Sequence, residues 1–162
     1  MSLTENLIQE FELESAVTRR VLEDVPGDRL TWQPYPRSLS MGELAVLVAT
    51  ESGILAPTPL TGGIDPGKHV SVRQPNDLAE VLDTHDAGVE SVVTGLRQLG
   101  DSGLERNWSA TINQARTSAN VRKVIRQHRE LLLVYLALLD APAPLPTHLA
   151  QVSDRLQLSP SL

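Results

Sequence analysis

Proline and glycine set the first limit on what this 162-residue chain can fold into. Pro26 with Gly27, the pair Pro34 and Pro36, a stretch over 54–75 with four prolines and three glycines, Gly100, and the run Pro142, Pro144 and Pro146 divide it into four segments. Proline cannot donate a backbone hydrogen bond, and glycine stops helices cheaply, so regular structure must lie between these marks. Every intervening segment has apolar residues at three- and four-residue steps, the period of one helix face. Over 3–24 these are Leu7, Ile8, Phe11, Val17, Val21 and Leu22; over 41–53 they are Leu44, Ala45, Leu47 and Val48. The third segment places Leu78, Val81, Leu82, His85, Val89, Val92, Leu96 and Leu99 inward, and the fourth, ending near 139, Val121, Val124, Ile125, His128, Leu132, Tyr135 and Leu139. None has the alternation of a strand. The expected fold is all-α, an antiparallel four-helix bundle forming one domain over 1–162, with residues 147–158 long enough for a short extra helix.

Local signals sharpen the boundaries. Ser38 or Ser40 can cap the second helix, and Asn76 or Asp77 the third. With Asp77 as cap, Glu80 is spaced to reach back in a capping box. Gly100 supplies a stop for the third helix, and Thr117 or Ser118 a start for the fourth. The proline-rich stretch over 54–75 and a segment containing Trp108 read as loops.

Composition narrows the function. Apolar residues are 41% and aromatics only 3%, so the core must be aliphatic. With no cysteine, thiolate nucleophiles, disulfides and cysteine-ligated metals are excluded. The net charge is −6, and Arg122, Lys123, Arg126 and Arg129 are spread round one helix beside Glu130, which reads as a solvated surface and not a nucleic-acid interface. No run approaches the ~18 apolar residues of a membrane span. The acidic, amphipathic start MSLTENLIQEFELES lacks the features of a signal peptide, so a cytoplasmic location is expected. No serine lies in a nucleophile motif, and the glycines at 62–63 lack the lysine of a phosphate loop.

Two segments resemble a known family, the DinB-like (DinB/YfiT) four-helix proteins. Residues 25–45, VPGDRLTWQPYPRSLSMGELA, are similar to the family's connector: a Val-Pro turn, a Trp and a Pro-x-Pro stretch lead into a Gly-Glu-Leu helix start. Residues 128–144, HRELLLVYLALLDAPAP, resemble its last helix and proline exit. The resemblance implies a bundle holding one zinc or nickel ion on three histidines, one on the second helix and two spaced four apart on the last, with thiol-dependent transferases and isomerases among its members. Here those positions are Leu47, Val124 and His128. Arg129 follows as in the family, but Glu130 and Leu131 replace its usual Gly-Gln, and the Tyr-Gly-Pro exit is absent. Leu and Val have no lone pair to give, so the expectation is no metal and no cofactor.

The remaining candidates admit two readings each. His128 is either a residual ligand or base, or a buried neutral imidazole bonded to Tyr135 or a polar group of the second helix. His85 shares the inward stripe, and with His128 and Glu51, one turn beyond Leu47, it would make a His-His-Glu set suited to zinc. His69 and His148 fall in proline-rich segments and read as exposed. Trp32 and Tyr35 either wall a ligand site or pin the connector. The expected function is a non-catalytic DinB-like protein with a small-ligand pocket lined by His128, His85, Glu51, Leu47, Val124 and Tyr135. The alternatives are a metal-dependent transferase or hydrolase on a rebuilt His85/His128 site, and a structural dimerisation module. The resemblance implies a homodimer, and Leu131 and Leu133, which add apolar surface beside the inward stripe, point the same way; a small apolar ligand is the expected small-molecule partner.

Overall fold

The computed structural model describes residues 2–54, 63–64, 72–104, 109–112, 115–116 and 121–140, and the side chains of 2–51, 53, 72–104 and 129–139. Among the described residues there are four α-helices: α1 (Leu3–Glu23), α2 (Met41–Ile54), α3 (Leu78–Leu104) and α4 (Val121–Asp140), with a single 3-10 turn at Gly27–Arg29. The fold is all-α, as the periodicity implies. The connectors add three short strands that no periodicity indicated: β1 (Gly63–Ile64), β2 (Ser109–Ile112) and β3 (Ala115–Arg116). β1 pairs parallel to β2 with Gly63 opposite Ser109, and β2 pairs antiparallel to β3 with Ile112 opposite Ala115. Two to four residues are too few for alternation to register in a sequence. The expected caps Thr117 and Ser118, together with Trp108, His69, His148 and the expected helix over 147–158, lie outside the described residues.

α2 is the centre. Met41, Leu44, Ala45, Val46, Leu47, Val48 and Ala49 are all buried, so the helix is covered on every side and not on one stripe as its period suggested. Its buried N-terminus leaves no water to satisfy the first backbone amides, and the chain supplies a partner for each. Ser40 and Glu43 form a capping box: the Ser40 amide donates to Glu43 Oε2 at 2.8 Å, and the Glu43 amide to Ser40 Oγ at 3.1 Å. The Met41 amide donates to the Trp32 carbonyl at 2.8 Å, the Gly42 amide to the Leu30 carbonyl at 2.7 Å, and the Leu44 amide to the Ser40 carbonyl. Ser40 is thus the cap, and its hydroxyl donates in turn to Gln74 Oε1 at 2.7 Å. Ser38 instead closes a turn with Tyr35. The connector over 30–40 is therefore a capping device for α2.

Helix directions follow from which ends meet. Thr4 lies against Asp101, and Arg19 against Asp86, so α1 and α3 run in opposite directions. Ser40 bonds Gln74, just before α3, and Gly53 lies against Gly88. α2 and α3 therefore run in the same direction, and the expected antiparallel order does not hold for this pair. The long connector after Ile54 gives the chain enough length to return to the starting end, which a short hairpin loop could not do. α4 places Arg129 beside Glu14 and Thr18, and Tyr135 edge-on to Trp32 beyond the end of α1, so it runs alongside α1.

Three sequence readings need correcting at this level. Val17 is 42% exposed, while Thr4, Ser15 and Thr18 are buried on α1; the Thr18 hydroxyl donates to the Glu14 carbonyl at 3.2 Å, which lets a polar residue sit inside. Leu131 is fully buried, so of the two leucines expected to add surface only Leu133 does so. Glu80 reaches back past its cap: its amide donates to Asp77 Oδ1 at 2.8 Å, but its carboxylate accepts from the Asn76 amide at 2.7 Å. Those bonds and the adjacent Arg73 hold the Glu80 carboxyl below its usual range.

Gly100 stops the regular part of α3 as expected, with φ 62° and ψ 176°, a conformation open essentially to glycine alone. The turn it makes aims Asp101 at α1, where the carboxylate accepts from the Thr4 amide at 2.8 Å, the Thr4 hydroxyl at 2.6 Å and the Leu3 amide at 3.3 Å. These bonds, those of Thr4 first, lower the Asp101 pKa.

α2 and α3 come within backbone contact at Gly53, where an added Cβ would lie 3.0 Å from the Gly88 Cα. Backbone cannot swing aside as a side chain can, so Gly53→Ala should force the helices apart. We expect a loss of about 1–3 kcal/mol in urea unfolding, against the ~1 kcal/mol that alanine's helix propensity would contribute. An unchanged or raised midpoint would show that the two helices have room to separate.

Candidate functional site

The structure gathers its most unusual chemistry around His85. On α3, Asp86 faces α1 through Arg19, and Gly88 faces α2 through Gly53. At 100° per residue, His85 falls between those two directions and points into the space among the helices. Val81 and Val92 lie on the same stripe and are buried, and His85 itself is only 2% exposed.

Its two ring nitrogens have different surroundings. Nδ1 lies 3.0 Å from Asp86 Oδ1. Both oxygens of Asp86 also accept from Arg19 Nε, at 3.0 and 3.2 Å, and Arg19 pairs in addition with Glu23. Burial pushes the Asp86 carboxyl up, but hydrogen bonds and charge from Arg19 and His85 outweigh it and leave the pKa below the usual range. Asp86 is therefore ionised at neutral pH and has no proton to give, so the hydrogen between the two groups sits on Nδ1, which donates. In the neutral ring Nε2 then carries the lone pair. Nε2 is buried, and among the described residues it has no hydrogen-bond partner.

The other candidates fall elsewhere. Leu47 is 2% exposed inside the aliphatic cluster that joins Leu44 and Val48 to Leu131, Leu132 and Tyr135. Tyr135 is fully buried, its ring 6.0 Å from that of Trp32 at an interplanar angle of 85°, an edge-to-face contact. Trp32 thus pins the connector to the core, while Tyr35 is 42% exposed. Glu51 is buried one turn beyond Leu47. Gly42 and Gly53 mark the side of α2 that meets α3, and Leu47 and Glu51 lie a third to a half of a turn round from it. No hydrogen bond joins Glu51 to His85, and among the described residues no three His, Asp or Glu side chains could hold one metal ion. Val124 and His128 belong to α4, but their side chains lie outside the described residues.

Sequence reasoning missed Asp86, Arg19 and the role of Arg129. Arg129 is not part of a solvated basic face: it reaches α1, donating to Glu14 Oε2 at 3.3 Å and Thr18 Oγ1 at 3.4 Å. Asp86 follows His85 directly, and neighbours on a helix point about 100° apart, so no spacing rule pairs them. Arg19 is distant in sequence and arrives only through packing. Comparison of the chain with models of known protein families, with characterised proteins and with solved structures found no match in any of the three.

The depressed Asp86 pKa has a pH consequence. A carboxyl whose pKa is lower in the folded state contributes stability above its unfolded value of ~3.9 and loses it as pH falls through the folded value. Asp86→Asn should therefore be less stable than wild type at neutral pH, with the gap closing in the acid range below ~4. Urea melts of both proteins across that range check this; a gap independent of pH would mean that the Arg19 and His85 contacts do not depend on the charge.

Proposed function

We propose that this chain is a DinB-like helical bundle in which packing has taken over the metal position, leaving a non-catalytic, small-ligand-binding protein of the cytoplasm. The observation that carries this reading is the burial of Leu47 in the aliphatic cluster with Leu44, Leu131, Leu132 and Tyr135. Leu47 is the position that matches the family's second-helix histidine. A zinc site needs at least three protein ligands with lone pairs, and of the matched positions Leu47, Val124 and His128 only the last has one. The residues present do not fit the ion. An aliphatic lining also makes it costly to bury an ion's charge or its waters.

Other features agree with the family reading. The helix count and order follow it, and the connector over 30–43 caps α2 through backbone and side-chain bonds. Leu13, Val17 and Leu133 leave apolar surface on α1 and α4, which supports pairing of two copies. The acidic balance supports a role away from nucleic acids. No helix among the described residues is long and apolar enough to cross a membrane. A second reading, a metal-dependent enzyme on a rebuilt His85/His128 site, draws on one observation: the Asp86 carboxylate orients His85 as outer-shell carboxylates orient ligand histidines.

Elemental analysis separates the two. The first reading expects no stoichiometric transition metal in the purified protein, and about one ion per chain would favour the second. The double variant Leu47→His, Val124→His should lose stability without metal and regain it with nickel, seen as a nickel-dependent rise in Tm. Failure to respond would reject the positional match to the family.

A further inference from the structure

We propose that Nε2 of His85 is a binding site for a small uncharged molecule carrying one O–H or N–H donor on an apolar body. The site rests on the small-ligand reading proposed above and deepens it, using His85 of α3 and none of the three positions matched to the metal site.

Three observations carry it. The ring is 2% exposed, and a buried acceptor left without a donor costs about 1–3 kcal/mol, a cost that proteins meet with a bound partner. In the neutral ring the atom without a partner among the described residues is the one that holds the lone pair, because Asp86 takes the Nδ1 hydrogen and Arg19 keeps Asp86 in place. The neutral ring is then held in one tautomer and orientation, with Nε2 as its single, buried acceptor. The chemistry of the partner follows. It must donate, since Nε2 accepts. Its body must be apolar, because Val81 and Val92 occupy the same stripe. It must be neutral: an anion would be repelled by the Asp86 carboxylate across the ring, and any full charge would lose its hydration on entry. A metal ion would need further ligands, and the described residues provide no such group.

Phenol and toluene are matched probes, alike in shape but differing in the donor. In the full chain, nitrogen NMR of the histidine rings should show the His85 Nε2 resonance moving on phenol titration and not on toluene titration. The variant His85→Leu should bind phenol about tenfold more weakly while its toluene affinity stays within a small factor of wild type. A His85 resonance unmoved at saturating phenol would overturn the proposal, as would equal phenol affinity in wild type and variant. So would a stoichiometric shift of that resonance on zinc titration, which would make Nε2 a metal ligand. If His85→Leu fails to fold, the wild-type titrations alone decide.

Discussion

Everything in this fold depends on burying α2 from all sides. From Leu44 to Ala49 every residue is inside, so the helix has no face it can turn to water. Such a helix exists only if others enclose it, and that requirement gives α1, α3 and α4 their places. It also removes solvent from the first turn, where an isolated helix would rely on water for its free amides. The chain answers with the carbonyls of Leu30 and Trp32 and the reciprocal pair Ser40 and Glu43. Gly53 then lets α3 come within backbone contact on one side.

The legible part of this architecture was the part encoded in short-range pattern. Helix positions follow from period and breakers, and Ser40, Asp77 and Gly100 perform the roles their types suggest. Faces were less legible. Val17 and Thr18 exchange the places that hydrophobicity assigns them, because Thr18 satisfies its hydroxyl within its own helix and meets Arg129. A scale of side-chain polarity cannot register a polar atom whose partner is already in hand. The unbroken run LAVLVA at 44–49 did signal burial all round, and reading it as one stripe was too narrow. The direction of α3 was open in principle, since a long connector permits either sense.

The candidate site divides in the same way. His85 stood out as an imidazole on an apolar stripe, and the structure does bury it. Asp86 and Arg19, which fix its proton, were invisible: one is the next residue and the other lies on a different helix. The connector over 30–43 caps α2 and so bears on the fold more directly than on chemistry. The proposed reading of the chemistry rests instead on Leu47, Val124 and His128.

The clasp between Asp101 and the start of α1 has a consequence for how the chain comes off the ribosome. The Thr4 amide and its capping carboxylate are 97 residues apart, so α1 emerges long before the group that completes its first turn exists. α2 follows, apolar all round, while α3 and α4 are still unmade. For most of synthesis the nascent chain is thus a partly finished helix and an unsheathed hydrophobic one, a species prone to aggregate. The loop closed by the clasp is long, but closure cost grows only slowly with length, so the clasp can form last, once the helices it joins are already in place.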